Sequence, residues 1–120
     1  MVEVDYHQVQ LHNYSYHNFK PNPLFFLDVE NGAEYSDFEG LLAKSDFVIA
    51  TCALTRETQH LFDKKAFESM KNSAVFINTS RGGIVNQEDL VEALQNQTIS
   101  MAGLDVMTPE PLPTDHPLTK

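Results

Sequence analysis

The sequence predicts an α/β fold built on a parallel sheet. Two short apolar runs, residues 47–50 (FVIA) and 74–77 (AVFI), have the composition of strands that are buried on both faces, as the strands of a parallel sheet are. Helix-like apolar patterns with polar N-caps alternate with these runs from residue 31 onward. Strand, helix and strand joined by short links imply right-handed crossovers and therefore parallel neighbouring strands.

Residues 1–30 and 31–120 differ in their pattern of apolar residues, and we expect a poorly ordered leader followed by the α/β part. The leader has no regular apolar period, and Pro21 and Pro23 interrupt it. Its three histidines recur every five residues, a spacing that places them on neither one helix face nor one strand face. We therefore predict no metal site at these histidines, which are His7, His12 and His17.

The first half of the α/β part is expected to hold two helices and a strand. Ser36 or Asp37 is the predicted cap of a short helix that runs through about Lys44. The strand 47–50 follows, and turn residues then lead to Asp63, the predicted cap of a second helix. The apolar face of this second helix has i, i+3, i+4 spacing and consists of Ala66, Phe67 and Met70.

A third helix is expected between the second strand and a third one. A tight connection, residues 78–83, follows the second strand. Asn86 is the predicted cap of the helix, with Asp89 as its partner in a reciprocal cap. The apolar face of the helix is expected to consist of Leu90, Val91 and Leu94.

A third strand and a proline-rich loop complete the α/β part. Residues 99–106 have strand composition, and Gly103 is expected to allow two backbones to approach closely there. Residues 107–120 contain proline at four positions, which predicts an extended loop without a helix.

Composition and charge exclude several classes of function. The chain has 120 residues and a formal net charge of −9, which argues against a nucleic-acid-binding face because phosphates require clustered basic side chains. No run of about 18 apolar residues is present, so we predict no membrane-spanning segment. No signal peptide is visible, and the single cysteine, Cys52, fits a reducing compartment. We therefore expect a cytoplasmic protein.

Candidate functional residues follow the predicted strands. Ligands of parallel sheets bind beyond the carboxyl ends of the strands, which here are residues 51–55, 78–83 and 105–106. Arg81 lies in the second of these segments, immediately before two glycines. Its guanidinium carries a planar fork of donors that matches a carboxylate, so it could clamp an anionic substrate and polarise a carbonyl. The alternative is a surface arginine in a glycine turn.

Two carboxylates are further candidates. Asp105 ends the third predicted strand, where it could accept a hydrogen bond from a cofactor amide or ribose; the alternative is a cap in a turn. Glu110 lies between Pro109 and Pro111, so its backbone has little freedom. A carboxylate held in this way can orient a histidine and stabilise its charged form; the alternative is an exposed loop acid.

The most specific signals in the sequence are five segments that keep their order and internal spacing. They are residues 45–50 (SDFVIA), 70–77 (MKNSAVFI), 78–86 (NTSRGGIVN), 102–106 (AGLDV) and 108–118 (TPEPLPTDHPL). Together they resemble the D-isomer-specific 2-hydroxyacid dehydrogenases, and the last segment is similar to one branch, the glyoxylate/hydroxypyruvate reductases.

The resemblance covers about residues 33–119 and implies a particular fold. It implies a partial doubly wound, Rossmann-like parallel sheet that forms the second half of the dinucleotide-binding domain. Residues 31–120 would then be a partial NAD(P)-binding domain, whereas residues 1–30 do not resemble the family.

The resemblance also implies an activity and roles for single residues. The family reduces a small 2-oxo acid to the D-2-hydroxy acid with hydride from NADPH or NADH, and its full-length members are expected to be homodimers. Arg81 would hold the substrate carboxylate and carbonyl beside the cofactor, and Glu110 would pair with a catalytic histidine. Asp105 resembles the residue that faces the nicotinamide. The other cofactor-lining residues implied by the resemblance are Ala53, Leu54, Thr55, Thr79 and Ser80.

Two family features are missing from these 120 residues. The five glycines form no G-x-G-x-x-G, so the pyrophosphate cradle and the residue that selects NAD or NADP are not there, and NADP is favoured by resemblance alone. The Pro-His-Ile-Gly-like stretch with the catalytic histidine is also absent. His116 matches instead the histidine of a His-Pro-Leu segment, whose role in the family is structural or adjacent to substrate. We therefore expect a truncated product or incomplete gene model that has little reductase activity alone.

Two functions from different classes remain after these observations. The first is a fragment of an NAD(P)H-dependent oxidoreductase that reduces glyoxylate or hydroxypyruvate. The second is a catalytically inactive remnant that at most binds an intact homologue. A third hypothesis is a doubly wound domain whose similarity to the family is fortuitous. It does not explain why Arg81, Asp105 and Glu110 occur together.

Overall fold

The computed structural model describes residues 36–119, and in this range the predicted alternation of strands and helices is confirmed. The helices are α1 (Phe38–Lys44), α2 (Lys64–Glu68) and α3 (Gln87–Gln95), and the strands are β1 (Phe47–Ala50), β2 (Val75–Asn78) and β3 (Met101–Leu104). One 3-10 turn, Gly82–Ile84, lies between β2 and α3. A second, Pro117–Thr119, lies in the proline-rich loop, which was predicted to contain no helix. The predicted leader and its histidines lie outside the described residues.

The three strands form a parallel sheet in the order β1-β2-β3. Phe47 pairs with Val75, and Val75 pairs with Met101. β3 is shorter than the predicted strand 99–106, because its pairing with the four residues of β2 runs only from Met101 to Leu104. In β1 and β2 every second residue is buried, and these residues are Val48, Ala50, Phe76 and Asn78.

The predicted helix caps are confirmed. The side-chain oxygens of Asp37, Asp63 and Asn86 each accept a backbone N–H from the first turn of their helix, at 2.8, 3.0 and 3.3 Å. Such bonds satisfy donors that the helix itself leaves unpaired. Because a cap depends on residues only three apart, the sequence alone was sufficient to place the start of each helix.

The reciprocal cap predicted for α3 is wrong. The backbone N–H of Asn86, which that cap requires, donates instead to the carbonyl of Phe62 at 2.9 Å. Asp89 Oδ2 accepts a hydrogen bond from the backbone N–H of Lys64 at 2.9 Å, so Asp89 links α3 to the start of α2. An exposed ion pair between Lys64 and Glu92, at 2.6 Å, joins the same two helices. The hydrogen bond to Glu92 raises the pKa of Lys64 above its usual value.

The core lies between the helices and the sheet. Phe76 of β2 packs against Phe62 and Phe67, with ring centroids 4.8 and 5.4 Å apart. Burial of such rings supplies much of the hydrophobic stabilisation of a small domain. On α3, Leu90 and Ala93 are buried, whereas the predicted core residues Val91 and Leu94 are only partly buried.

Candidate functional site

A cleft of about 720 Å³ opens at the carboxyl ends of β1 and β2. This is the edge where ligands of parallel sheets bind, and the volume falls within the range of small-molecule sites. The cleft is lined by residues from the two loops that leave these strands. They are Thr51, Cys52, Ala53, Leu54, Thr79, Ser80 and Arg81.

The loop that carries Arg81 is braced from inside the protein by Asn78. Asn78 is the last residue of β2 and is only 1% exposed. Its Nδ2 atom donates to the Arg81 carbonyl at 3.0 Å, and its Oδ1 atom accepts from the backbone N–H and the hydroxyl of Ser80, both at 3.0 Å. An asparagine side chain that bonds to the backbone two residues onward forms an Asx turn. Asn78 therefore fixes the backbone on which the Arg81 side chain stands.

The Arg81 guanidinium itself lies at the exposed rim of the cleft. Its Nη1 atom donates to the Ser80 carbonyl at 2.7 Å. This contact engages one of the five N–H donors of a guanidinium. The guanidinium can therefore bind an anion through its other donors while Nη1 keeps its hydrogen bond to the Ser80 carbonyl.

The opposite wall of the cleft is the turn that follows β1, and Thr58 holds it in shape. Thr58 is buried, its hydroxyl donates to the Ala53 carbonyl at 2.7 Å, and it accepts from the Thr55 N–H at 2.7 Å. The Thr55 hydroxyl donates to Glu57 at 2.7 Å, and this bond lowers the pKa of the Glu57 carboxyl. A lowered pKa means that the folded chain favours the carboxylate, so the turn loses this contribution as the pH falls through the lowered value.

Gly82 lies in the loop that carries Arg81 (residues 78–83, the Arg81 loop) and brings it against the loop that follows β3. A Cβ atom added to Gly82 would stand 2.3 Å from the Met107 carbonyl oxygen and 2.5 Å from the Thr108 hydroxyl. Only glycine permits this approach. A Cβ on Gly103 would meet Ile77 at 3.7 Å, an ordinary contact, so the close approach predicted at Gly103 occurs at Gly82 instead.

The loop after β3 carries the two acidic candidates. Asp105 is exposed, and its backbone N–H donates to the Asn78 carbonyl at 3.0 Å, which keeps it beside the end of β2. Glu110 is also exposed, and its Oε1 atom accepts from the Met107 N–H at 2.8 Å. In the same loop, His116 Nδ1 accepts a hydrogen bond from the Leu118 N–H at 3.2 Å, so this histidine stabilises the loop that carries it.

The structure brings most of the predicted cofactor residues to one cleft. Those that line it are Ala53, Leu54, Thr79, Ser80 and Arg81. Thr55, Asp105 and Glu110 are exposed and are not part of the lining. The hydroxyl of Thr55 is used inside its own turn, and the other two residues stand on the neighbouring loop. The roles given to all of these residues stay predictions.

Three residues that hold the loops in place were not predicted from the sequence. The first is Asn78. An asparagine at the end of a buried strand, two residues before a serine, is a sequence signal for an Asx turn and could have identified it. Thr58 and Gln87 gave no local signal. Thr58 acts on a carbonyl five residues away, and Gln87 contacts the backbone of Thr108, 21 residues away.

Neither a metal cluster nor a membrane helix is found in the described part of the chain. Within residues 36–119, no three His, Cys, Asp or Glu side chains stand close enough together to hold a metal ion. In the same range, no helix has the length and apolar character needed to cross a membrane.

A family model for the NAD-binding domain of D-isomer specific 2-hydroxyacid dehydrogenases matches residues 7–120. The match therefore begins inside the predicted leader, and the boundary at residue 30 stays a prediction. The chain is 55% identical over 86 residues to glyoxylate reductase/hydroxypyruvate reductase of Mus musculus and 54% identical to that of Homo sapiens. These matches cover 72% of this chain and 26% of each relative, so the chain spans about a quarter of their length.

Solved structures of similar proteins agree with the fold. A glyoxylate reductase from Paecilomyes thermophila has a TM-score of 0.72 at 34% identity, over 86% of this chain and 30% of that one. A D-isomer specific 2-hydroxyacid dehydrogenase from Lactobacillus delbrueckii ssp. bulgaricus, in its NAD complexed form, has a TM-score of 0.70 at 34% identity, over 78% and 27%. A probable 2-hydroxyacid dehydrogenase from Rhizobium etli CFN 42, in complex with NADP, HEPES and L(+)-tartaric acid, has a TM-score of 0.68 at 36% identity, over 72% and 30%.

Proposed function

The chain belongs to the D-isomer specific 2-hydroxyacid dehydrogenase family, and on this premise we propose that it is part of an NAD(P)H-dependent reductase of glyoxylate or hydroxypyruvate. Its described residues form part of a Rossmann-like NAD-binding domain. The observation that carries the proposal is the position of Arg81. The arginine stands at the rim of a cleft between two strand ends, on a loop that the buried Asn78 holds in place.

The cleft suits the nicotinamide end of a dinucleotide. Its walls carry small side chains, Ala53, Thr79 and Ser80, which leave room for a flat ring and its ribose. Leu54 is 46% exposed and offers an apolar surface at the same place. The sequence contains no G-x-G-x-x-G, so the residues that fit are those for the nicotinamide end and not those for the pyrophosphate.

Each polar group has a proposed part in the reduction. A bound NADPH or NADH supplies the hydride that reduces the carbonyl carbon. Arg81 binds the substrate carboxylate with its fork of donors and stabilises the negative charge that develops on the carbonyl oxygen. With the cofactor bound, Asp105 would accept a hydrogen bond from its amide or ribose. Glu110 stabilises the charged form of a histidine that protonates the new alkoxide, through Oε2, while Oε1 holds the Met107 N–H.

The proposal extends to the cofactor, the oligomeric state and the cellular location of the protein. We assign NADP ahead of NAD because the segment 108–118 resembles the glyoxylate/hydroxypyruvate reductase branch. We propose that the full-length protein is a homodimer, as the family resemblance implies. We propose a cytoplasmic location, because the single thiol of these 120 residues, Cys52, fits a reducing compartment.

The proposal is tested with a hybrid enzyme. Residues 36–119 replace the aligned segment of the Mus musculus relative, which supplies the rest of the dinucleotide domain and the substrate domain. We expect the hybrid to oxidise NADPH in the presence of hydroxypyruvate with a turnover number in the ordinary range of enzymes, roughly 1–10³ per second. The 120-residue chain assayed alone is the control, and we expect little or no turnover from it. A folded hybrid that binds NADPH but turns over no 2-oxo acid contradicts the proposal.

A second expected result uses the thiol in the cleft of the 120-residue chain. Cys52 is partly buried in the cleft lining, so a ligand in the cleft shields it from alkylation. Reduced nicotinamide mononucleotide should slow the reaction of Cys52 with N-ethylmaleimide, about twofold at a concentration equal to its Kd. Thr114→Cys in a Cys52→Ser background is the control, and its exposed thiol should show no protection. Equal protection of both thiols, or of neither, contradicts binding in the cleft.

A further inference from the structure

We propose that Gln87 is a positioning residue that holds the proline-rich loop (residues 107–119) against the Arg81 loop. The inference rests on the proposed function, in which Arg81 binds the substrate and Glu110 supports the proton donor. These two groups stand on different loops, so the reaction depends on how the loops are joined. Gln87 is the first residue of α3, the helix that follows the Arg81 loop along the chain, and its side chain binds the proline-rich loop.

The contact consists of two hydrogen bonds to one residue. Gln87 Oε1 accepts from the Thr108 N–H at 3.0 Å, and Gln87 Nε2 donates to the Thr108 carbonyl at 2.6 Å. The first distance lies within the usual range of N–H···O hydrogen bonds, and the second is slightly shorter than that range. Two bonds to the N–H and C=O of one residue fix its rotation as well as its position. Since the acceptor bond requires the amide oxygen and the donor bond requires the amide nitrogen, only an amide of this length satisfies both.

Thr108 lies between the two groups that the reaction needs. Its predecessor, Met107, touches Gly82 of the Arg81 loop through its carbonyl and binds Glu110 Oε1 through its N–H. A displacement of Thr108 therefore moves Met107, and with it both the contact to the Arg81 loop and the carboxylate of Glu110. Glu110 follows Thr108 by only two residues.

Gln87 also contacts the far end of the proline-rich loop. Its Nε2 atom stands 3.4 Å from Nε2 of His116, and His116 is tied to Leu118 through its other ring nitrogen. Leu118 packs against the hydrophobic core. The amide is therefore in contact with both the beginning and the end of the loop, a place from which it determines how the whole loop sits.

The side chain of Gln87 is not needed for the helix that carries it. Gln87 is the first residue of α3, and the cap of α3 is the hydrogen bond from the Asp89 N–H to Asn86 Oδ1. The same helix ends with an exposed glutamine, Gln95. Gln95→Met is therefore a matched control for Gln87→Met, because it makes the same chemical change in the same helix away from the loop.

Amide hydrogen exchange of the 120-residue chain tests the contact directly. In Gln87→Met we expect the Thr108 amide to exchange roughly two- to twelve-fold faster, since a hydrogen bond of this kind has been lost. The amide of Leu90, inside α3, should keep its rate, and Gln95→Met should change neither rate. Gln87→Asn keeps the amide but shortens the side chain by one methylene, so it should behave like Gln87→Met. An unchanged Thr108 rate in both variants of Gln87 overturns the proposal.

The kinetic arm separates a positioning role from a purely structural one. In the hybrid enzyme we expect Gln87→Met to lower kcat roughly ten- to hundred-fold, because small displacements of reacting groups are costly. The KM of NADPH should change by less than about twofold, because Asn78 and Thr58, and not Thr108, hold the backbone of the loops that line the cleft. Faster exchange at Thr108 with an unchanged kcat overturns the positioning role. An inactive unsubstituted hybrid is a failure of the proposed function instead, and the exchange result still decides whether Gln87 holds the loop.

Discussion

Arg81→Gln is expected to lower kcat/KM of the hybrid enzyme for hydroxypyruvate by roughly a hundred- to thousand-fold, the usual loss when a donor to a developing oxyanion is removed. Glutamine keeps a donor but has neither the charge nor the fork that matches a carboxylate. Because Asn78 braces the backbone of this loop and not the side chain of Arg81, the substitution leaves the loop in place. Steady-state kinetics with varied hydroxypyruvate and varied NADPH gives both constants.

Two variants make the Arg81 experiment specific. Arg56→Gln is the matched control, because Arg56 is an exposed arginine that does not line the cleft. We expect it to leave kcat/KM within about twofold of the parent, as surface substitutions generally do. Arg81→Lys restores the charge without the planar fork and should fall between the parent and Arg81→Gln. Equal activity of the Arg81→Gln and Arg56→Gln enzymes contradicts the role of Arg81.

Gly82→Ala is expected to destabilise the folded chain by about 1–3 kcal/mol, the usual effect of forcing an extra methyl group into a well-packed place. The new Cβ would lie 2.3 Å from the Met107 carbonyl oxygen. That atom belongs to the backbone, so it cannot rotate away as a side chain can. The proline-rich loop must move instead, and the Thr108 amide should lose protection from hydrogen exchange. Urea unfolding of the 120-residue chain measures the change in free energy.

Gly103→Ala is the control for the Gly82 variant. A Cβ at Gly103 would make only an ordinary 3.7 Å contact with Ile77, so the free energy of unfolding should change by less than about 1 kcal/mol. If the two alanine variants unfold at the same urea concentration with the same slope, the close packing at Gly82 does not hold in solution.

The fold could be predicted because its signals are local. The caps Asp37, Asp63 and Asn86 depend on residues three positions away, and the strands are continuous apolar runs. The predictions were wrong where residues distant in the sequence determine the end of an element or the partner of a side chain. The third strand ends at Leu104 because of its pairing with β2, and Asp89 binds Lys64 of another helix because Phe62 occupies the Asn86 N–H.

The candidate site could be predicted only in outline. The rule that ligands bind at the carboxyl ends of parallel strands located the loops of Ala53 and Arg81, and these loops do line one cleft. The residues that hold the loops could not be found in this way. Gln87 and Thr108 are 21 residues apart, and nothing in the sequence around either one indicates that they meet. Such contacts follow from tertiary packing and not from local pattern.

In the proposed function, Arg81, Asp105 and Glu110 serve one pocket for a nicotinamide ring and a small 2-oxo acid. A crystal structure of the hybrid enzyme with NADPH and oxalate, a non-reacting dicarboxylate, tests it most directly. We expect the Arg81 guanidinium within roughly 2.7–3.2 Å of an oxalate oxygen, Asp105 beside the nicotinamide and Glu110 on the catalytic histidine of the host. A structure in which Arg81 stays on the Ser80 carbonyl while oxalate binds elsewhere contradicts it.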